Sequence, residues 1–90
     1  MVAPAMPDRA LQNRQVAIAF GRVLRETRLR RHLSQEDLAL RAGLDRTYPS
    51  LLERGQRQPT LAVVIAVADV LEVAPIVLVN KTLEELKLKK

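Results

Sequence analysis

Gly43 and Asp45 stand two residues apart between two short segments with helical apolar spacing, and this restricts the chain more than any other feature. Glycine adopts the left-handed backbone that ends a helix, and aspartate can cap the start of the next one. Two helices joined by so short a turn must cross closely. The crossing needs a small residue and inward apolar side chains, which Ala39, Gly43, Leu44 and Leu52 supply. The pattern predicts helix 2 over residues 35–42, with Ser34 and Asp37 marking its N-cap, and helix 3 over residues 46–54, capped by Asp45. A plain helical hairpin would share part of this pattern, so spacing alone leaves the function open.

The flanking sequence is helical too. Residues 1–12, with Pro4 and Pro7, read as a flexible N-terminal arm. Val16, Phe20, Val23, Leu24 and Thr27 recur at three- and four-residue steps, predicting helix 1 over residues 13–31 with His32 near its C-terminus. Arg14, Arg22, Arg25, Glu26 and Arg30 form its solvated, mainly basic face. After a polar loop at 55–59, Thr60 can cap helix 4, which extends to about residue 71, and a short helix 5 follows Pro75. The β-branched residues at 75–80 also admit a strand. Thr82 and Glu85 form a capping-box pair before Leu86, so the chain is expected to continue as a frayed helical tail over 83–89. The expected layout is all-α: an arm (1–12), one five-helix domain (13–80) and a short basic, helical C-terminal tail (81–90).

Ninety residues suit one domain with a limited core. The chain has no Cys, and His32 alone cannot make a metal site, so neither metal nor cofactor is expected and a reducing cytoplasm is compatible. With no nucleophile and base set and no phosphate-cradling glycine loop, catalytic residues are not expected and the chain does not read as an enzyme. No signal peptide is evident in residues 1–10. Residues 61–79 are apolar enough to raise a membrane span, but Asp69, Glu72 and Pro75 interrupt them. Each central acid costs about 2.5 to 3.5 kcal/mol on insertion scales, so the stretch reads as core and interface rather than membrane. Basic residues outnumber acidic ones 15 to 10, and their position is informative. Residues 22–57 hold nine basic and five acidic residues, whereas 58–80 hold no basic residue and two acids.

The ordered run Leu33-Ser-Gln-Glu-Asp-Leu-Ala39, Ala42-Gly43-Leu44, Leu52-Glu-Arg-Gly55 and Pro59 resembles the helix-turn-helix family of phage repressors and xenobiotic-response-element regulators. The resemblance covers residues 20–79. It implies a lambda-repressor-like domain of five helices whose helix 3 lies in the major groove, two protomers binding a two-fold-related operator in double-stranded DNA. By the same resemblance, Arg46, Thr47, Tyr48, Ser50 and Leu51 would read base edges. Arg46 could bond guanine in bidentate fashion, Thr47 and Ser50 could bond bases or phosphates, and Leu51 could pack on a thymine methyl. Ser34, Gln35, Arg54, Arg57 and Gln58 would position phosphates. Arg28 and Glu53 match positions that commonly pair between helix 1 and the end of helix 3. Pro49 departs from the family, which usually has Ile or Val there. It removes a donor and disfavours helical angles at Tyr48, so the start of helix 3 is expected to be distorted or delayed.

Helix 4 is apolar all round, which marks a helix buried all round. Leu61, Val64, Ile65, Ala68 and Leu71 would face the core, and Ala62, Val63, Ala66, Val67 and Val70 the other way. Val63, Val67, Val70, Ile76, Val77, Leu78 and Val79 are therefore expected to form a homodimer interface. Alternatively, Leu83, Leu86 and Leu88 of the tail fold back over this face. A second functional reading is a protein-interaction module, such as an antitoxin or regulatory partner, that docks through the helix 4 and 5 face.

Overall fold

The computed structural model describes residues 9–88, with five α-helices and no strand among them. Helix α1 spans Arg9–Arg30, α2 Gln35–Ala42, α3 Tyr48–Glu53, α4 Leu61–Leu71 and α5 Pro75–Leu88. Helix α1 begins four residues before the expected position, so residues 9–12 are helical, and residues 1–8 of the expected arm lie outside the described residues. It stops where His32 takes a left-handed backbone, φ 57°, and Leu33 N–H donates to Arg28 O at 3.2 Å.

The bounds of α2 match the sequence pattern because both ends carry their signals. Ser34 Oγ accepts from Asp37 N–H at 2.9 Å, and the Asp37 carboxylate accepts from Ser34 N–H at 3.3 Å. Gly43, at φ 69°, lets Leu44 N–H reach back to Ala39 O at 2.8 Å. Thr60 caps α4 by accepting from Val63 N–H at 3.1 Å. Helix α4 ends at Glu72, whose left-handed φ of 60° costs more at a residue with a Cβ than at glycine.

Helix α3 starts at Tyr48 rather than Arg46, the delay expected from Pro49, and ends at Glu53. Pro49 then falls in the first turn, where an N–H has no intrahelical partner to lose, and its ring is buried. Asp45 does not cap the helix directly. Its carboxylate accepts from Thr47 N–H at 2.9 Å and from Thr47 Oγ1 at 2.7 Å, closing a polar turn ahead of α3.

Helix α5 also departs from the sequence pattern. It runs unbroken past residue 82, because Thr82 is buried and donates to Leu78 O at 2.8 Å instead of capping a new helix. Glu85 lies 3.7 Å from Arg22 of α1. The strand alternative for 75–80 is overturned: these residues are helical. No single described helix is long and apolar enough to cross a membrane, and the apolar stretch breaks into α4 and α5 with a bend of 108°.

Every helix contributes to one core: Phe20, Val23 and Leu24 from α1, Leu38 from α2, Leu52 from α3, Val64, Val67, Ala68 and Leu71 from α4, and Leu78 from α5. Full burial of each large aliphatic side chain contributes about 1.5 to 3 kcal/mol. The core redraws the expected interface. Val67 and Leu78 have no exposed surface and serve their own protomer, so neither can meet a partner. Val63 and Val70 are half-buried against the core, and Val77 faces the cleft beside Thr27 and Arg31 of α1. Ile76 and Val79 do point outward, joined by Leu61 and Ile65, which were expected inside. A helix apolar on all sides cannot announce its rotation by hydropathy. Asp69, one turn beyond Ile65, marks the solvent side.

Candidate nucleic-acid interface

The site is built around a buried ion pair that fixes α3 to α1. Arg28 Nε donates to Glu53 Oε2 at 2.6 Å and Arg28 Nη2 to Glu53 Oε1 at 3.0 Å, while Arg28 Nη1 donates to Leu33 O at 2.7 Å. Gln35 Nε2 adds a third donor to the carboxylate, 3.0 Å from Glu53 Oε1. One carboxylate at the end of α3 thus ties together α1, α2 and α3. Close approach makes this possible: a Cβ on Gly21 would lie 2.6 Å from Glu53 O.

Arg46 and Thr47 are exposed in the turn that precedes α3, whereas Tyr48, Ser50 and Leu51 are half-buried on the helix itself. Tyr48 packs partly against the core, which limits its reach toward a ligand. Arg46 Nε lies 3.8 Å from Glu36 Oε2 of α2, both side chains largely in water, a weak pairing that an incoming phosphate or base can displace. Arg46 and Thr47 therefore stand in water ahead of α3, with Arg46 beside the first turn of α2, while Ser50 is only partly exposed.

The phosphate-positioning candidates divide. The Ser34 hydroxyl is taken up by its cap with Asp37. Gln35 braces Glu53 as described. Arg54 Nε donates to Ser50 O at 3.3 Å and remains exposed, as does Arg57. Gln58 is exposed but committed, its Nε2 donating to Asn13 O at 2.8 Å, so it fastens the α3–α4 loop to α1.

Two carboxylates at this end have lowered pKa values. The Ser34 backbone N–H and then its hydroxyl hold Asp37 below the usual carboxylate value, and the Thr47 hydroxyl and then its backbone N–H do the same for Asp45. Both stay ionised at neutral pH, so they hold turns rather than meet phosphate.

Sequence reasoning missed two participants. Glu36, the partner of Arg46, is ten positions away across the Gly43 turn, and no local spacing signals the pair. Arg14 was placed on the solvated face of helix 1, yet it lines a cleft with Arg54 and Arg57.

The sequence pattern of the helix-turn-helix domain family matches residues 19–80. The chain belongs to that family. It is a DNA-binding transcriptional regulator, not an enzyme. A protein of Sinorhizobium fredii (strain NBRC 101917 / NGR234) called uncharacterized HTH-type transcriptional regulator y4dJ is 42% identical over 63 residues, 70% of this chain and 77% of the relative. Among solved structures, the restriction-modification controller protein C.AhdI from Aeromonas hydrophila is 44% identical with a TM-score of 0.67, covering 69% of this chain and 94% of its own. The hypothetical transcription factor NHTF from Neisseria is 32% identical with a TM-score of 0.72, covering 98% and 97%. The helix-turn-helix of this chain is α2 and α3, with the polar turn at Asp45 between them.

Proposed function

We propose that the chain is a sequence-specific repressor or controller-type regulator that binds a two-fold-related operator as a homodimer, with the start of α3 in the major groove. The single observation that carries this reading is the exposure of Arg46 and Thr47 in the turn that leads into α3, a helix held from behind by the Arg28 and Glu53 pair. A base-reading element must present hydrogen-bonding side chains from a rigid support. The 44% identity with a controller protein favours the controller variety of regulator.

Dimerisation would use the outward apolar side chains of α4 and α5. Ile65 is 51% exposed, Ile76 59% and Leu83 51%, and residues 58–80 contain no basic side chain. Such side chains favour association with a like surface, and a second copy supplies it with the symmetry that a two-fold operator needs. The face is apolar and the DNA side is basic, so the two functions do not compete for one surface.

The test is sedimentation of the purified protein at micromolar concentration together with the salt dependence of its binding to duplex DNA. The reading expects a dimer and a steep loss of affinity as salt rises, because several phosphates release counterions. A monomer with salt-insensitive binding to a protein partner would instead support the docking-module alternative.

A further inference from the structure

We propose that the cleft between the first turns of α1 and the α3–α4 loop holds a backbone phosphate of the bound DNA, with Arg14 acting as a positioning residue from outside the helix-turn-helix pair. This rests on the DNA-binding reading above and adds a contact to it. The cleft encloses about 490 Å³, and Arg14, Arg54 and Arg57 all line it together with Asn13 and Gln56. Among the described residues no carboxylate lines it, and none of the three guanidiniums lies within ion-pair distance of an acid. Arg22, Arg28, Arg31 and Arg46, by contrast, each have one. Three cations sharing one concavity repel one another, and an anion between them removes that cost.

The cleft walls are held rather than left to chance. Gln58 fastens the loop to the Asn13 carbonyl at 2.8 Å. Gly55, in the left-handed region at φ 71°, brings the loop backbone so close to α1 that an added Cβ would lie 2.8 Å from Ile18 Cγ1 and 3.0 Å from its Cα. Residues 9–18 precede the part of the chain that matches the family pattern, so Arg14 comes from a segment which that pattern does not include. Guanidinium forks suit phosphate oxygens, and phosphate contacts set position without reading sequence.

The experiment compares wild type with Arg14→Ala and Arg14→Lys, measuring affinity for the operator and for random duplex across salt, with phosphate-ethylation interference on the operator. Arg14→Ala is expected to bind roughly three- to tenfold more weakly on both duplexes and to lower the salt slope by about 1 per protomer. It should also lose interference at one phosphate per half-site. Arg14→Lys should recover most of the affinity, and the melting temperatures of all three should agree because Arg14 is exposed. Unchanged affinity, slope and interference pattern in Arg14→Ala would overturn the proposal while leaving the base-reading assignment intact. A wild type that binds no duplex would overturn both. Free inorganic phosphate offers the same chemistry. Saturable binding of it that Arg14→Ala abolishes, with DNA affinity unchanged, would assign the cleft to a small anion and overturn the DNA role.

Discussion

Arg28 and Glu53 meet through two parallel hydrogen bonds, of 2.6 and 3.0 Å, with both side chains almost wholly out of water. The pair joins α1 to the last residue of α3, so the orientation of α3 depends on it. Removing one charge strands the other, at about 3 to 5 kcal/mol for a buried pair. Glu53→Gln is therefore expected to lower Tm by roughly 10 °C or more, while the DNA sequence preferred by the remaining folded protein stays the same. A circular dichroism melt and a binding-site selection check the two halves, and an unchanged Tm contradicts the assignment.

Gly21→Ala should have the opposite sign from the one helix propensity gives. In a helix interior alanine is favoured over glycine by about 1 kcal/mol. Here the methyl would collide with backbone, 2.6 Å from Glu53 O and 2.9 Å from Glu53 C. The expected result in urea unfolding is a loss of about 1 to 3 kcal/mol, the usual cost of overpacking.

Pro49 is the departure from the family pattern with the most to say about α3. Because α3 begins at Tyr48, Pro49 lies in the first turn and its missing N–H costs nothing there. Its buried ring and fixed φ contribute stability instead. Pro49→Ala is expected to lose about 1 to 2 kcal/mol with no gain in DNA affinity. A tighter-binding Pro49→Ala protein would mean that proline distorts the reading element.

The carboxylates that hold the start of α2 and the turn ahead of α3 give a pH dependence. Asp37 and Asp45 both have folded pKa values below the usual 3.8, through hydrogen bonds from Ser34 and Thr47 respectively. A depressed pKa contributes stability that is fully present above the unfolded value and is lost as pH falls through the folded one. Acid titration of the wild type should therefore lose stability below about pH 4. Asp45→Asn with Asp37→Asn should flatten that limb and leave the neutral region nearly unchanged in slope.

What could be read from the sequence follows from where signals are local. Helix α2 was legible to the residue because Ser34, Asp37 and Gly43 are all local signals. The Arg28 and Glu53 pair, 25 residues apart, was accessible only through the family resemblance. Asp45 can either cap a helix or close a turn, which set the start of α3 two residues early, whereas Pro49 did signal the delay that is found. Rotation of α4 was illegible in hydropathy, since both faces are apolar, and only Asp69 pointed to water. That confusion put Val67 and Leu78 at an interface they do not reach. The basic cleft was hidden because Arg14 and Arg57 are brought together by the close seating of Gly55 on Ile18, a contact with no sequence period.

The most direct test of the central claim is selection of bound sequences from a random duplex pool at near-physiological salt, for wild type and for Arg46→Ala with Thr47→Ala. Both residues are exposed in the turn ahead of α3, and the residue 47 backbone N–H keeps its bond to Asp45 when the hydroxyl is removed, so the double variant should fold as the wild type does. The expected result is an enriched two-fold motif in the wild type that the double variant loses while still binding duplex weakly. No enrichment from folded wild type, or the same motif from both proteins, would contradict the assignment of base reading to the start of α3.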